Sequence, residues 1–113
     1  EVSICSPTRF TMIEKQTMSD GEIDTQAYGF KLAPLEAIKG GDSIQNAEIT
    51  RAILRGDEKS AKLDVVLLNG ALALIIDGKA RDMQDGIAMM KEAIESKKAW
   101  YKLGEIIKLS YFI

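Results

Sequence analysis

Few side chains in this sequence could carry out chemistry, because its 113 residues include no histidine. Histidine is the usual general base near neutral pH, the usual partner of a nucleophilic serine or cysteine, and a common zinc ligand. Cys5 therefore has no histidine to activate it, and we interpret it as a small core residue. Catalysis that depends on these residues alone is not expected.

One glycine-rich segment, Lys39-Gly40-Gly41-Asp42-Ser43, could in principle hold a phosphate group. Backbone N–H groups at the start of a helix bind anions, and glycine lets the backbone approach them closely. The spacing matches neither the dinucleotide fingerprint nor the P-loop. The sequence therefore favours the other interpretation, in which Asp42 or Ser43 caps a helix.

Two further groups of residues resemble sites but are better explained without one. Met83, Met89 and Met90 recur at helical spacing, which is typical of a core face rather than a ligand set. Five charged residues nearby are interpreted as a solvent-exposed face: Lys91, Glu92, Glu95, Lys97 and Lys98. Exposed pairs among such residues contribute little to stability.

Length and composition limit the classes of protein to which this chain can belong. A chain of 113 residues that is 46% hydrophobic is enough for one domain with a real core. Its net charge is −2 and it has no basic block, so neither nucleic acid nor an anionic membrane is an expected partner. The single cysteine excludes an intrachain disulfide and favours a reducing compartment, so we expect the cytoplasm. The chain opens on Glu1 without an initiator methionine or signal peptide, and we expect it to be part of a longer protein.

The first quarter of the chain predicts short strands. Val2 to Cys5 is apolar and predicts a buried strand, and Phe10 to Thr17 predicts a second strand. Ser19-Asp20-Gly21 predicts a tight turn, because Asp-Gly tolerates the positive φ values of a hairpin. Glu22 to Thr25 would then return as the partner strand in an antiparallel hairpin.

A long connection follows from residue 26 to residue 42, where the hydrophobic periodicity fails. We expect one helical turn around Leu35 to Ile38. Tyr28, Phe30 and Leu35 are the apolar side chains predicted to anchor the connection to a neighbouring surface.

Four helices are predicted in the remainder. Asp42 or Ser43 starts the first, which runs to about Arg55 and ends at Gly56. Its Ile49 and Ile53 share a face.

The second helix, Ala61 to Ile76, is nearly all apolar. Asp57 is its predicted cap, and Gly78 is the predicted left-handed residue after its end. The helix falls short of the ~20 apolar residues that cross a bilayer, so it must be buried by protein on nearly every side.

The last two helices are amphipathic and are expected to pack on the second. Asp82 caps the third helix and Ser96 the fourth. The predicted inward faces carry Met83, Ile87, Met90 and Ile94 on the third helix, and Trp100, Leu103 and Ile107 on the fourth.

The order of residues in the second helix resembles that of the anthranilate phosphoribosyltransferase family, in its C-terminal third. The matching positions are Asp64, Val66, Leu67, Leu68, Asn69, Ala71, Ala73, Leu74, Gly78, Lys79 and Ala80. Further matching blocks occur in the same order: Ser6-Pro7-Thr8, Asp20-Gly21, Tyr28-Gly29-Phe30, Gly40-Gly41-Asp42, Asn46-Ala47, Gly86, Glu92-Ala93-Ile94, Ala99 and Leu103. The resemblance covers nearly the whole chain.

The resemblance implies an α/β fold. Residues 1–113 would form the C-terminal part of a mixed-sheet α/β domain, a single incomplete domain with a short strand and hairpin followed by four helices. The whole enzyme would transfer a phosphoribosyl group from phosphoribosyl pyrophosphate to anthranilate, releasing pyrophosphate with the help of Mg²⁺, in tryptophan biosynthesis. A homodimer formed through parts outside this chain is also expected.

Glu1 is the one site residue that the resemblance assigns here. Glu1-Val2-Ser3 resembles the Glu-Ile-Ser that ends the family's Asp-Glu motif, which implies that Glu1 is a Mg²⁺ ligand, directly or through water. The competing interpretation is a terminal glutamate that binds nothing. No catalytic or substrate-binding residue is assigned to this chain, and we expect it to be inactive alone.

Two departures from the family pattern need a structural reason. Gly70 stands where the family usually has alanine, which predicts a close helix crossing. Tyr111-Phe112-Ile113 extends an end that usually stops near Ser110. Three alternatives stay open: a nucleoside phosphorylase-like relative, a nucleic-acid-binding relative, and a non-catalytic interaction module that docks through its apolar helix.

Overall fold

An antiparallel hairpin followed by four helices makes up the structure, a computed structural model that describes residues 1–113. The strands are β1 (Thr8–Glu14) and β2 (Thr17–Ile23), and two short 3₁₀ turns follow at Thr25–Tyr28 and Leu35–Ile38. The helices are α1 (Ser43–Arg55), α2 (Ala61–Ile76), α3 (Met83–Glu95) and α4 (Lys98–Ser110). The predicted order of a hairpin and four helices is confirmed.

The hairpin turns earlier than predicted. Its register runs from Thr8 opposite Ile23 to Glu14 opposite Thr17. Between the strands, Lys15 and Gln16 have φ values of 47° and 71°, the left-handed values of a two-residue hairpin turn. The prediction of a turn at Ser19-Asp20-Gly21 is therefore wrong, because these residues lie inside β2.

Cross-strand contacts explain the register. Gly21 lies opposite Phe10, and a Cβ at Gly21 would come within 2.7 Å of Phe10 Cε1. The glycine thus makes room for an aromatic ring that covers it, a known use of glycine in strands. Beside it, the Thr11 hydroxyl donates to Asp20 Oδ1 at 2.7 Å. Asp20 and Gly21 therefore act in strand pairing.

The N-terminal segment is buried as predicted but is not a strand. Val2 and Ile4 are only 3% and 0% exposed. The carbonyl of Ile4 accepts from the N–H of Ala33 at 3.1 Å, and the described sheet contains β1 and β2 alone. The prediction of a strand from Val2 to Cys5 fails because no second strand lies beside these residues.

The long connection packs onto the core through fewer anchors than expected. The helical turn at Leu35–Ile38 is present, and Tyr28 and Phe30 are partly buried against the core. Leu35 is 68% exposed, so its prediction as an anchor is wrong. Ala33 and Ile38 make the core contacts of this part instead.

The start and end of α1 match the prediction. The Asp42 carboxylate accepts from Gln45 N at 2.8 Å, and the Gln45 side chain accepts from Asp42 N at 2.9 Å. These reciprocal bonds form a capping box, which satisfies two backbone donors that a helix start leaves unpaired. Ile53 is buried and Ile49 packs beside it, as expected from their spacing.

The central helix α2 is fully buried along one part of its surface. Leu67, Leu68 and Ala71 are fully buried, whereas Ala73 and Ile76 are exposed. Most other residues of the helix are half-buried, so the predicted burial on nearly every side is confirmed only for the face that carries the three buried residues.

The cap of α2 differs from the prediction. The Ser60 hydroxyl accepts from Lys62 N at 3.2 Å and begins the helix. Asp57 is not the cap, because α2 begins four residues later and the Asp57 carboxylate pairs with Arg55 Nε at 2.9 Å. Gly78 adopts φ 74° after the helix, as predicted.

The inward face of α3 is close to the prediction. Asp82 caps the helix by accepting from Asp85 N at 2.8 Å. Met83, Ile87 and Ile94 are buried. Met89 is 38% exposed, so its interpretation as a core residue is wrong.

The position of α4 is not the predicted one. Lys97, with φ 66°, is its N-cap instead of Ser96. This left-handed residue turns the chain so that α4 packs on α3 and α1 rather than on α2. Trp100 lies under the guanidinium of Arg55, whose Cζ is 5.5 Å from the ring centroid. Tyr111-Phe112-Ile113 is exposed beyond the helix end.

Two apolar clusters form the core, and α2 belongs to both. The first cluster contains Val2, Ile4, Ile23, Leu68, Ala71, Met83 and Ile87, and the second contains Ile53, Leu67 and Ile94. No helix in the structure is both long enough and apolar enough to cross a membrane.

The close crossing of α2 and α3 is centred on Gly86. A Cβ at Gly86 would lie 2.9 Å from the Cα and the carbonyl oxygen of Ala71, which are backbone atoms that cannot rotate away. Gly70 also faces α3, but there a Cβ would meet the flexible side chain of Met90. The predicted close crossing therefore exists, and Gly86 is the residue that permits it.

We expect Gly86→Ala to destabilise the protein by about 1–3 kcal/mol, because α2 and α3 must move apart. Gly104→Ala is the matched control, since a Cβ at this position in α4 meets nothing within 4 Å. It should instead add roughly 0.5–1 kcal/mol through helix propensity. Urea unfolding of both variants measures the difference, and equal effects would contradict the assigned crossing.

Candidate functional site

A cleft of about 400 Å³ opens beside Glu1, between the start of α2 and the inner face of α1. Glu1 and Lys62 are its two charged residues, and Asn46 and Thr50 are its polar ones. Its remaining surface is mostly apolar. We call it the Glu1 cleft.

The polar side chains of the Glu1 cleft, apart from Glu1, each make at least one hydrogen bond within the chain. Lys62 Nζ donates to the carbonyl of Ala37 at 3.0 Å. The Asn46 side chain accepts from Gly41 N at 2.8 Å and donates to Gly41 O at 3.0 Å. The Thr50 hydroxyl donates to the Asn46 carbonyl at 3.0 Å. Lys62, Asn46 and Thr50 keep further hydrogen-bonding capacity, and the exposed Glu1 carboxylate is the one acidic group that lines the cleft.

Asn69 fixes the backbone next to Glu1. Its Oδ1 accepts from Val2 N at 2.8 Å, and its Nδ2 donates to Val2 O at 2.9 Å. The same Nδ2 also donates to the carbonyl of Val65, one turn earlier in α2, at 3.0 Å. Sequence reasoning used Asn69 only as part of the resemblance and missed this contact. The available signal was a lone amide inside an apolar helix, since a buried amide requires partners.

The donor set near Glu1 fits Mg²⁺ only in part. No three acidic, cysteine or histidine side chains come close enough together to hold a metal ion. Mg²⁺, however, is commonly bound through one or two carboxylates together with waters and substrate phosphates. An exposed carboxylate on a fixed backbone suits that role as one ligand. The assignment of Glu1 as a Mg²⁺ ligand stays a prediction.

The glycine-rich segment at residues 39–43 acts as a helix cap. The N–H of Gly41 is bonded to Asn46, and that of Asp42 is bonded to Gln45. These amides already have partners within the chain. The capping interpretation is confirmed.

The remaining residues considered for chemistry have structural positions. Cys5 packs against the first core cluster, as predicted. The predicted solvent-exposed charged face of α3 and the start of α4 is confirmed. Within it, Lys91 Nζ lies 6.0 Å from the ring centroid of Phe30.

A second, apolar groove lies between the hairpin and the α2–α3 pair, with a volume of about 520 Å³. Phe10, Ile13, Tyr28, Leu72 and Ile75 are among its lining residues. The groove contains no converging set of reactive groups. The Glu1 cleft is therefore the better candidate site.

Asp64, in the first turn of α2, is the one carboxyl whose pKa is raised. Burial raises the pKa of Asp64 above its ordinary value of 3.8, although the nearby charge of Lys91 opposes that rise. Asp77, at the other end of α2, behaves oppositely. The ammonium of Lys79, 2.8 Å away, lowers the pKa of the Asp77 carboxyl.

These two shifts predict opposite pH dependences. A raised pKa means that the folded protein holds the proton more tightly, so the contribution of Asp64 to stability is lost as the pH rises above 3.8. Asparagine does not ionise, so it avoids this loss. As the pH rises from about 3 to about 6, Asp64→Asn should therefore gain stability relative to wild type.

The matched variant Asp77→Asn should change in the other direction over the same range, because Asp77 contributes stability above its ordinary pKa and loses it as the pH falls. The measurement is the free energy of unfolding in urea at several pH values. Parallel profiles for the two variants would contradict the assignment.

Comparison with known proteins places this geometry in context. Residues 1–100 match the family described as glycosyl transferase family, a/b domain. The anthranilate phosphoribosyltransferase of Syntrophotalea carbinolica is 38% identical over 110 residues, covering 97% of this chain and 31% of the relative. That of Bacillus mycoides is 37% identical over 111 residues, covering 98% of this chain and 32% of the relative.

The fold is also found in a solved structure. The crystal structure of anthranilate phosphoribosyltransferase from Thermus thermophilus matches with a TM-score of 0.72 and 32% identity. The match covers 76% of this chain and 26% of that one. The chain therefore spans about a third of the length of the curated relatives it matches.

Proposed function

Because this chain belongs to the glycosyl transferase family, a/b domain, we propose that the whole protein transfers a phosphoribosyl group from phosphoribosyl pyrophosphate to anthranilate. Pyrophosphate is the leaving group, and tryptophan biosynthesis is the proposed pathway. The observation that carries the proposal is the 38% identity to a protein of that name over 97% of this chain. The resemblance found in the residues is thereby confirmed.

The proposed contribution of this chain is mainly structural. It supplies the packed helices of the α/β domain, and no residue in it is assigned to catalysis or to substrate binding. Glu1 is proposed as one ligand of Mg²⁺, held at the mouth of the Glu1 cleft. When bound, Mg²⁺ would neutralise the charge of the departing pyrophosphate.

The proposed partners are small molecules, namely phosphoribosyl pyrophosphate and anthranilate. The net charge of −2 without a basic block supports a protein that binds neither nucleic acid nor membrane. We also propose a homodimer formed through parts outside this chain and a cytoplasmic location. The named relatives favour this function over a nucleoside phosphorylase, a nucleic-acid-binding relative or a docking module.

Substitution of Glu1 tests its proposed role. In the whole protein, Glu1→Gln should lower the transfer rate at limiting Mg²⁺ by about tenfold or more, with partial recovery at high Mg²⁺, because one charged metal ligand is lost. The rate is followed through the consumption of anthranilate. The control is Glu95→Gln, an exposed glutamate on α3, which should leave the rate unchanged.

Residues 1–113 alone should show no transfer, since they supply one candidate metal ligand and no assigned phosphate-binding group. Transfer by this segment that depends on Mg²⁺ and disappears with a chelator would overturn the structural role. A Glu1→Gln variant equal to wild type at every Mg²⁺ concentration would overturn the role of Glu1.

A further inference from the structure

We infer that Asn69 is a positioning residue that fixes the place of Glu1 at the Glu1 cleft by holding both backbone groups of Val2. The inference rests on the proposed role of Glu1. Asn69 itself need not contact a substrate or a metal ion. It would act only through the backbone of the N-terminal segment.

The contact has the form of a strand pairing made by a side chain. In an antiparallel β-ladder, a residue can use both its N–H and its C=O in hydrogen bonds to the same residue of the neighbouring strand. Val2 makes both bonds to the side-chain amide of Asn69: its N–H donates to Oδ1 at 2.8 Å, and its carbonyl accepts from Nδ2 at 2.9 Å. Asn69 thus supplies the two bonds that a neighbouring strand would make.

The clamp determines which way Glu1 points. Successive side chains of an extended segment lie on opposite faces. Val2 and Ile4 are 3% and 0% exposed and enter the first core cluster, whereas Glu1 is exposed. A shift of the segment by one residue would bury Glu1 and expose Val2. The two bonds from Asn69 oppose that shift at the residue adjacent to Glu1.

Other contacts hold the segment farther from Glu1. Ser3 N donates to the Thr8 hydroxyl at 2.9 Å, and Ile4 O accepts from Ala33 N at 3.1 Å. Neither contact involves Glu1 or Val2. The bonds from Asn69 are the side-chain tether nearest to the carboxylate.

Helix stability does not explain an asparagine at this position. Asparagine is a poorer helix former than leucine, and α2 is otherwise mostly apolar here. A partly buried amide is unfavourable unless it is hydrogen-bonded. The three bonds to Val2 and Val65 supply that compensation, and two of them go to Val2.

The experiment uses the whole protein with Asn69→Leu, which removes all three bonds and keeps the number and branching of the side-chain heavy atoms. Asn69→Asp is the graded variant, because it keeps an acceptor for Val2 N and loses the donor. Leu63→Ala is the matched control: Leu63 lies in the same helix and packs on the second core cluster without contacting the N-terminal segment through a hydrogen bond. Two quantities are measured for each variant.

The first quantity is hydrogen exchange of the peptide that covers residues 1–5, in the absence of Mg²⁺. Asn69→Leu should accelerate it by about tenfold, Asn69→Asp by less, and Leu63→Ala no more than it accelerates exchange of the whole protein. The second quantity is the Mg²⁺ concentration that half-saturates transfer. Asn69→Leu should raise it by about tenfold with a smaller change in kcat at saturating Mg²⁺, and Leu63→Ala should leave it unchanged.

The inference is overturned if Asn69→Leu leaves exchange of residues 1–5 unchanged, or if it shifts the Mg²⁺ requirement no more than Leu63→Ala does. If Asn69→Leu does not fold, the same comparisons are made with Asn69→Asp. The proposed function fails separately, when the wild-type protein shows no Mg²⁺-dependent transfer to anthranilate. Exchange of residues 1–5 then still decides whether Asn69 holds the segment.

Discussion

The structure depends on the burial of α2, a helix with too little polar surface to face water. Such a helix requires apolar partners on opposite sides, and both core clusters supply them. The hairpin and the N-terminal segment cover one side together with α3, and Ile53 of α1 packs in the same cluster as Leu67 on another side. Each of these elements therefore takes its position from α2. The close contact of Gly86 with the Ala71 backbone shows how tightly one of them is fixed.

Sequence reasoning predicted the features that depend on neighbouring residues. The caps at Asp42 and Asp82 follow from local chemistry and are present. Features set by distant contacts were predicted less well. Asp20-Gly21 has the residues of a turn, but the ring of Phe10 opposite Gly21 favours a strand there. Likewise α4 leaves the predicted position because one left-handed residue, Lys97, redirects the chain.

The candidate site shows the same division. The resemblance to a family identified Glu1, since that inference needs only the order of residues. It could not reveal Asn69 as the partner of Val2, because the two residues are 67 positions apart in the sequence. An amide in an apolar helix indicates that a partner exists, but its identity follows only from the fold. The proposed metal ligand is thus inferred from the order of residues, whereas the side chain that holds its backbone is found only in the folded structure.

The contact between Val2 and Asn69 also has a consequence for the order of folding. Joining residues 67 positions apart closes a long loop, and the entropy of that closure must be offset by contacts that form with it. The helices and the hairpin contain mainly local contacts and can form without this closure. The backbone beside Glu1 therefore gains its bonds to Asn69 only when α2 is already in place. The proposed metal ligand therefore reaches its final position late in folding, when the core around α2 forms.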